Sequence, residues 1–416
     1  MNNEREKKQL LEVYLNNGRS FKKTGQFKQA IEKFQEALKL AKELKDEKQL
    51  TNVNISLGHA YTLNNQIQTA SQHFGKAVEI AKVRGYKQEE TNAYLGLGDV
   101  YSLSNQIQKV VQHYEKALEI AIERGYKREE INAYLGLGDA YILSNQIQKA
   151  ELDAYRLSNQ IQKAVQHYEK VLEIAIERGS KQKETNAYLG LGDAYRLSNQ
   201  IQKAIQHYEK ALEIAIERGY KQEETNAYLR LGDAYRLSNQ IQKAVQHYEK
   251  ALEIAIERGS KQEETNAYLG LGDVYRLSNQ IEKVVQHYEK ALEIAIERGY
   301  KREEINAYLG LGDAYILSNQ IQKTVQHYEK ALEIAIERGS KEEETNAYLR
   351  LGDAHRLNNQ IQKAVQHYEK ALEIAIEQGY KQEETNACLG VGDAYRLSNQ
   401  TQKAVQHNHE KALEIA

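Results

Sequence analysis

Apolar positions recur along this chain with helical spacing. Between Asn186 and Thr225, Tyr188, Leu191, Gly192 and Tyr195 fall at i, i+3, i+4 and i+7, which is one face of a helix. After Ser198-Asn199-Gln200 the same spacing resumes through Ile201, Ala204, Ile205, Tyr208, Ala211, Leu212 and Ala215. Asparagine tolerates the left-handed backbone that ends many helices, so Asn199 reads as a turn between two helices. Gly25 stands at the equivalent place near the N-terminus, and Gly219 ends the second helix in the same way. The pattern predicts a first helix of about 12–15 residues and a second of about 18. Where Ser follows that second glycine, Ser260-Lys-Gln-Glu263 and Ser340-Lys-Glu-Glu343 predict capping boxes for the next helix.

The unit repeats every 40 residues, with copies beginning at Asn52, Asn92, Asn132, Asn226, Asn266, Asn306, Asn346 and Asn386 and a diverged copy near Glu12. A lone hairpin cannot bury both of its faces, whereas a stack of hairpins can, so the expected fold is an all-α solenoid of antiparallel helical hairpins. Small residues such as Gly192, Ala204 and Ala211 mark where helices come close, and Tyr188, Tyr195 and Tyr208 fill the gaps between them.

The rhythm stumbles once. Asp139 and Asp153 are 14 residues apart, whereas Asp193, Asp233, Asp273, Asp313, Asp353 and Asp393 keep the 40-residue interval. Loss of 26 residues from two adjoining units accounts for the interval. Fourteen residues at about 100° each nearly restore the apolar face. One short chimeric helix then fits between turns at Asn145 and Asn159, with Ala150, Ala154, Tyr155 and Leu157 as its apolar residues; it disturbs the alternation of first and second helices. Alternatively, one of these asparagines is absorbed and a long helix runs through. The expected organisation is an N-terminal array over residues 1–145, an irregular segment over 146–160 and a second array over 161–416. The first two repeats hold all four Phe, as a diverged cap would. At the other end Thr401, the extra residue in QHNHEKA and a stop inside a helix read as a frayed end, a fragment or a shortened chain.

Composition narrows the function classes. The chain has no Pro and no Trp, one Cys and 29 Tyr, which favours helix and excludes an internal disulfide. A net charge of −2 with 28% charged residues gives no field to attract nucleic acid or membrane. The start, MNNEREKKQL, lacks the apolar core of a signal peptide, and no stretch approaches a membrane span of roughly 18 apolar residues. A cytoplasmic setting is expected.

Tyr188, Leu191, Gly192, Tyr195, Ala204, Tyr208 and Ala211 resemble the tetratricopeptide repeat signature in type and spacing, with Tyr188 where that family usually has Trp and Ile216 where it usually has Pro. The 40-residue unit and phrases such as LGDAYRL and KALEIAIERG look like the Pins/LGN-type adaptors and large tetratricopeptide arrays. The resemblance implies a right-handed superhelix with a peptide-binding concave face. The G-protein-binding motifs that follow the repeats in those adaptors have no counterpart in this sequence.

On that resemblance the groove is lined by Asn186, Asp193 and Arg196 and their equivalents Asn226, Arg230, Asp233, Arg236, Asn266, Asp273, Arg276, Asn306, Asp313, Asn346, Arg350, Asp353 and Arg356, with Leu189 and Leu197 on the same stripe. Arg230 and Arg350 replace Gly190, and Ile316 interrupts the Arg series. Asparagines can hydrogen-bond an extended peptide backbone and arginines can pair with carboxylates; the competing reading is that Asp193 and Arg196 satisfy one another or a neighbouring repeat. Leu189 and Asp193 occupy two places where chaperone-binding relatives need basic or Asn residues, which argues against capture of a chaperone C-terminus. One His recurs per unit, as at His207 and His247; neighbouring repeats stack about 8–10 Å apart, too far for such pairs to share zinc easily. Gly190-Leu-Gly192 lies inside a helix and reads as packing, not as a nucleotide loop. No catalytic motif, metal site or cofactor is expected. The expected function is a non-enzymatic protein-interaction scaffold with a protein or peptide ligand, no nucleic acid and no membrane span. The alternative is the sensor region of a larger signalling enzyme. RNA readout and recent expansion with little ligand specificity are weaker readings.

Overall fold

The computed structural model describes residues 2–148 and 154–397 and contains nineteen helices among them, with no strand. The expected frayed end lies outside the described residues, as does Ala150. Within the repeats the first helices are 17 residues long, as in Lys221–Leu237, and the second 18, as in Ile241–Arg258. The first helix starts about a turn earlier than its apolar stripe, because Lys221, Gln222, Glu223 and Glu224 are already helical. In the second unit Lys221–Leu237 packs on its own second helix and on Lys261–Leu277, the first helix of the next repeat, and the following repeats do the same.

The turns form as their residues require. Asn239, Asn279, Asn319 and Asn359 adopt φ of 54–58°, and Gly259 and Gly299 adopt 67° and 69°. The capping boxes do not form: neither Ser260 nor Ser340 makes a side-chain cap hydrogen bond. The reason is backbone closure. Ser260 N–H donates to Ala255 O of the helix before, and its carbonyl accepts from Glu264 N–H. Tyr220 occupies the same place with the same backbone bonds, so the link needs no side-chain cap.

The contacts divide the chain into two compact units. One comprises residues 1–147 and 158–198, the other 148–157 and 199–416. In the first, the stumble takes a different form from the short chimeric helix. Asn145 lies inside Lys127–Gln148 and Asn159 inside Ala154–Glu177, so neither turns the chain. These two helices pair as the first and second of one hairpin. Tyr168 donates to Asp139 at 2.6 Å, and His167 stacks on Tyr141, as the equivalent residues do elsewhere. Among the described residues first and second helices therefore alternate through Lys127–Gln148, Ala154–Glu177 and Lys181–Leu197; residues 149–153, within the expected irregular segment, lie outside them.

The core is a column of alanines and aromatics. In the second unit Ala227, Ala234, Ala244, Ala251 and Ala255 are wholly buried, and Tyr248 nearly so. The Tyr248 ring sits between Gly232 of its own hairpin and Gly270 of the next; a Cβ on either glycine would come within 3.0 Å of ring atoms. Tyr288 sits likewise between Gly272 and Gly310, and Tyr114 between Gly98 and Gly136. Arg350 shows that the second of these places accepts a side chain, whereas the first is glycine in every copy. Gly272→Ala is therefore expected to cost about 1–3 kcal/mol by overpacking, although alanine is intrinsically the better helix former by about 1 kcal/mol. Gly310→Arg, copying Arg350, is expected to cost less. Urea unfolding of the two variants checks the contrast; equal costs would mean that the two sides of the ring are equally closed.

Candidate functional site

The predicted stripe lies along the first helices. Its Asn, Asp and Arg residues are partly exposed in most repeats, but its leucines are not uniformly so: Leu189, Leu309 and Leu349 are buried. These leucines belong to the packing and not to an open ligand surface.

Four aspartates of the stripe in the second unit are each engaged by the wedged tyrosine of their own hairpin. Tyr248 donates to Asp233 at 2.6 Å, Tyr288 to Asp273 at 2.7 Å, Tyr328 to Asp313 at 2.6 Å and Tyr368 to Asp353 at 2.7 Å. Burial first, and the adjacent carboxylate second, push the Tyr248 and Tyr288 hydroxyls well above the ordinary tyrosine range. The first two repeats support this assignment: where Phe34 and Phe74 replace the tyrosine, Arg19 and His59 replace the aspartate. His59 instead stacks edge-on against Phe74 at 5.0 Å.

The arginines close on the same carboxylates. Arg236 lies 3.5 Å from Asp233, Arg276 3.6 Å from Asp273 and Arg356 3.1 Å from Asp353. In the first unit Arg196 lies 3.8 Å from Asp193. Ile316 leaves Asp313 without an arginine from its own helix. Arg350 of the following repeat bonds it, and Arg276 of the preceding one reaches to 4.0 Å. The Asp–Arg stripe thus ties residues within and between repeats. Asn226 and Asn346 are partly exposed, and Asn266 and Asn306 exposed.

The histidines occupy a different place. His247 stacks on Tyr235 at 5.1 Å, with Tyr228 at 5.8 Å on its other side, and His113, His167 and His327 repeat the arrangement. The Tyr188- and Tyr195-type residues therefore clasp an imidazole and do not fill the glycine gaps, which belong to the Tyr208 type. Among the described residues no three His, Cys, Asp or Glu side chains group as metal ligands.

Sequence reasoning missed two further features. Glu224 and its equivalents are buried near the start of each first helix and paired with Lys221 and its equivalents at 2.7–3.0 Å. In the first unit a cleft of about 550 Å³ opens along the first helices, lined among others by Asn92, Asp99, Asn132, Asp139, Arg128 and Lys183. The recurring Lys-x-x-Glu was a readable signal for the first; the cleft depends on how neighbouring hairpins stack.

The tetratricopeptide repeat family profile matches residues 9–83, 50–123, 153–217, 223–297, 263–337, 303–377 and 343–416, and the chain belongs to that family. Among solved structures it is similar to the apo form of RapI, at 17% identity and TM-score 0.61 over 89% of this chain and 99% of that one. It is also similar to a Rap protein complexed with Competence and Sporulation Factor, at 15% identity and TM-score 0.55 over 88% and 98%. A third likeness, at 18% identity and TM-score 0.60, is to a signal transduction ATPase with numerous domains and a tetratricopeptide repeat sensor from Pyrococcus horikoshii. It covers 90% of this chain, which spans 55% of that protein's length. No curated protein matches the sequence closely enough to count as a relative. No helix among the described residues is long and apolar enough to cross a membrane.

Two predictions follow from this packing. In a double-mutant cycle, Tyr288→Phe and Asp273→Ala are expected to couple by about 1–2 kcal/mol, because each leaves the other's buried polar group short of a partner; additive losses would separate the pair. The second concerns pH. Burial, then nearby charge, lowers His73 and His367 to about 4, and His59 shifts the same way. The fold favours their neutral forms. That stability is present above the unfolded value near 6.5 and is lost as pH falls from there toward 4. The thermal midpoint is expected to fall over that window at constant ionic strength; a midpoint flat between pH 6.5 and 4 would contradict it.

Proposed function

We propose that the chain is a non-enzymatic scaffold that holds an extended or helical segment of a partner protein along its first helices. The observation that carries this reading is the cleft in the first unit. Asn92 and Asn132, which stand at the stripe's asparagine position, line it together with Asp99 and Asp139. The aspartates are occupied by Tyr114 and Tyr168, so asparagine amides and basic side chains are the groups offered to a ligand. Amides of this kind pair with an extended backbone without selecting its side chains. In the second unit the same role falls to Asn226, Asn266, Asn306 and Asn346, with Arg236, Arg276 and Arg356 holding the surface around them. A cytoplasmic setting fits a chain with a single, buried cysteine, Cys388.

A second reading, as the sensor region of a larger signalling enzyme, is favoured by the likeness to the signal transduction ATPase. Both readings use the same face for binding.

Selection of peptides from a displayed random library on the full chain tests the proposal. The selected peptides are expected to lose at least about tenfold in affinity when Asn92, Asn132, Asn226 and Asn266 are replaced by Ala, a loss of about 1.4 kcal/mol or more, with helicity unchanged. Peptides that bind the variant equally well would place the binding surface elsewhere.

A further inference from the structure

At the start of the first helices a ladder of polar contacts links one repeat to the next. In four such places the second residue of a first helix faces the third residue of the following one. Lys48 lies 3.9 Å from Glu89, Gln222 bonds Glu263, Gln262 donates to Glu303 at 2.8 Å, and Arg302 lies 3.9 Å from Glu343. In each of these rungs a cation or an amide meets a glutamate.

One rung in the first unit differs. Its second-position residue is Arg128, and its third-position residue is Lys183, where the other repeats carry Glu89, Glu129, Glu223, Glu263, Glu303, Glu343 and Glu383. Two cations therefore stand where a cation and an anion are expected. Lys183 donates to Asn132 Oδ1 at 2.9 Å. No carboxylate among the described residues forms an ion pair with Arg128 or Lys183. Burial, and then the Arg128 charge, hold the Lys183 ammonium below the ordinary lysine range. Both side chains open into the 550 Å³ cleft, together with Asn92 and Asn132.

The acids of the cleft do not answer this charge. Asp139 lies eleven residues beyond Arg128 on the same helix, about 16 Å along its axis, and accepts from Tyr168. Asp99 accepts from Tyr114. Glu129 also lines the cleft, but a glutamate precedes the stripe asparagine at that place in the other repeats too and does not account for the second cation. Like charges held together cost stability unless something neutralises them. A guanidinium and an ammonium with an asparagine amide beside them provide several donors converging on one anionic group.

We propose that Arg128, Lys183 and Asn132 form an anion-binding site that takes a carboxylate or phosphate group on a peptide lying along the first unit's cleft. This rests on the groove-binding reading and adds to it a position and a charge. The cleft becomes polar in direction: the anionic group is held at the start of the first helices, and the chain runs from there toward the tyrosine-bound aspartates. Sixteen ångströms of helix axis correspond to about five extended residues.

Fluorescence anisotropy on the full chain tests the site. Three labelled, end-blocked Ala/Ser octapeptides differ at one position, which carries glutamate, phosphoserine or glutamine. Each is titrated against the unaltered protein, Lys183→Glu and Arg128→Gln. Both substitutions install the residue found at that place in other repeats, and helicity is checked by circular dichroism. The charged probes are expected to bind about tenfold or more tightly than the glutamine probe, and to lose that preference in both variants. The stronger of the two charged probes identifies the group. Equal binding of all three, a preference that survives Lys183→Glu, or no binding of either charged probe would overturn the site. The groove reading fails separately, through library peptides indifferent to the asparagine substitutions.

Discussion

The structure depends on a ring held between helices that have no side chain at the point of contact. Tyr248 is wedged between Gly232 and Gly270, which belong to successive hairpins. One side chain thus sets both the closure of its own hairpin and the approach of the next. Glycine in a helix interior costs about 0.5–1 kcal/mol relative to alanine, and that cost is offset by burying an aromatic body of roughly 150–250 Å². Because each wedge touches only its own hairpin and the next, stability is a sum of local terms, as expected of a repeat array. Such an array can be lengthened by copying a unit without redesign of the rest.

The same wedge explains the fate of the polar stripe. A buried phenol needs an acceptor, and the aspartate one residue after the first glycine supplies it. Phe74, without a hydroxyl, coexists with His59 at that place. The aspartate is thus a consequence of choosing tyrosine over phenylalanine. The arginine three residues on then neutralises the aspartate, and Asp313, which lacks that arginine, draws on both neighbouring repeats. Most of the charge on the first helices is consumed in holding the array together.

Much of this could be read from residues. Helical spacing through Tyr188 and Tyr195, turns at Asn199 and Gly219 and the close approach at Gly232, the equivalent of Gly192, are local consequences of residue type. The tetratricopeptide resemblance was carried by the same positions, and the family match confirms it. What could not be read depended on partners distant in sequence. Ser260 carries a capping-box pattern, but its backbone is already committed to the helix before it. Asn145 and Asn159 carry the same turn signal as Asn199, yet both are helical. An asparagine permits a left-handed turn without enforcing one. That the stripe's aspartates accept from the wedged tyrosines could not be read either, because a period of 40 residues shows where a side chain recurs and not what it faces.

A nearly uniform array has a recognition problem that follows from its construction. On the groove-binding reading proposed above, identical rungs offer a ligand many equivalent registers, so affinity gained from the asparagine ladder alone does not fix where a segment begins. Specificity is a difference between alternatives, and here it must come from the places where the repeats differ. Among the described residues those differences include Arg230 and Arg350 in place of glycine, Ser102, Ile142 and Ile316 in place of arginine, His355 in place of tyrosine, and Lys183 in place of glutamate. Arg350 is bound to Asp313 and His355 is buried against His367, so both are turned to internal use. Lys183 and Arg128 keep their charge facing an open cleft. On the proposed reading, a register mark in a repetitive groove has to be rare, charged and left without an internal countercharge, and this pair meets all three conditions.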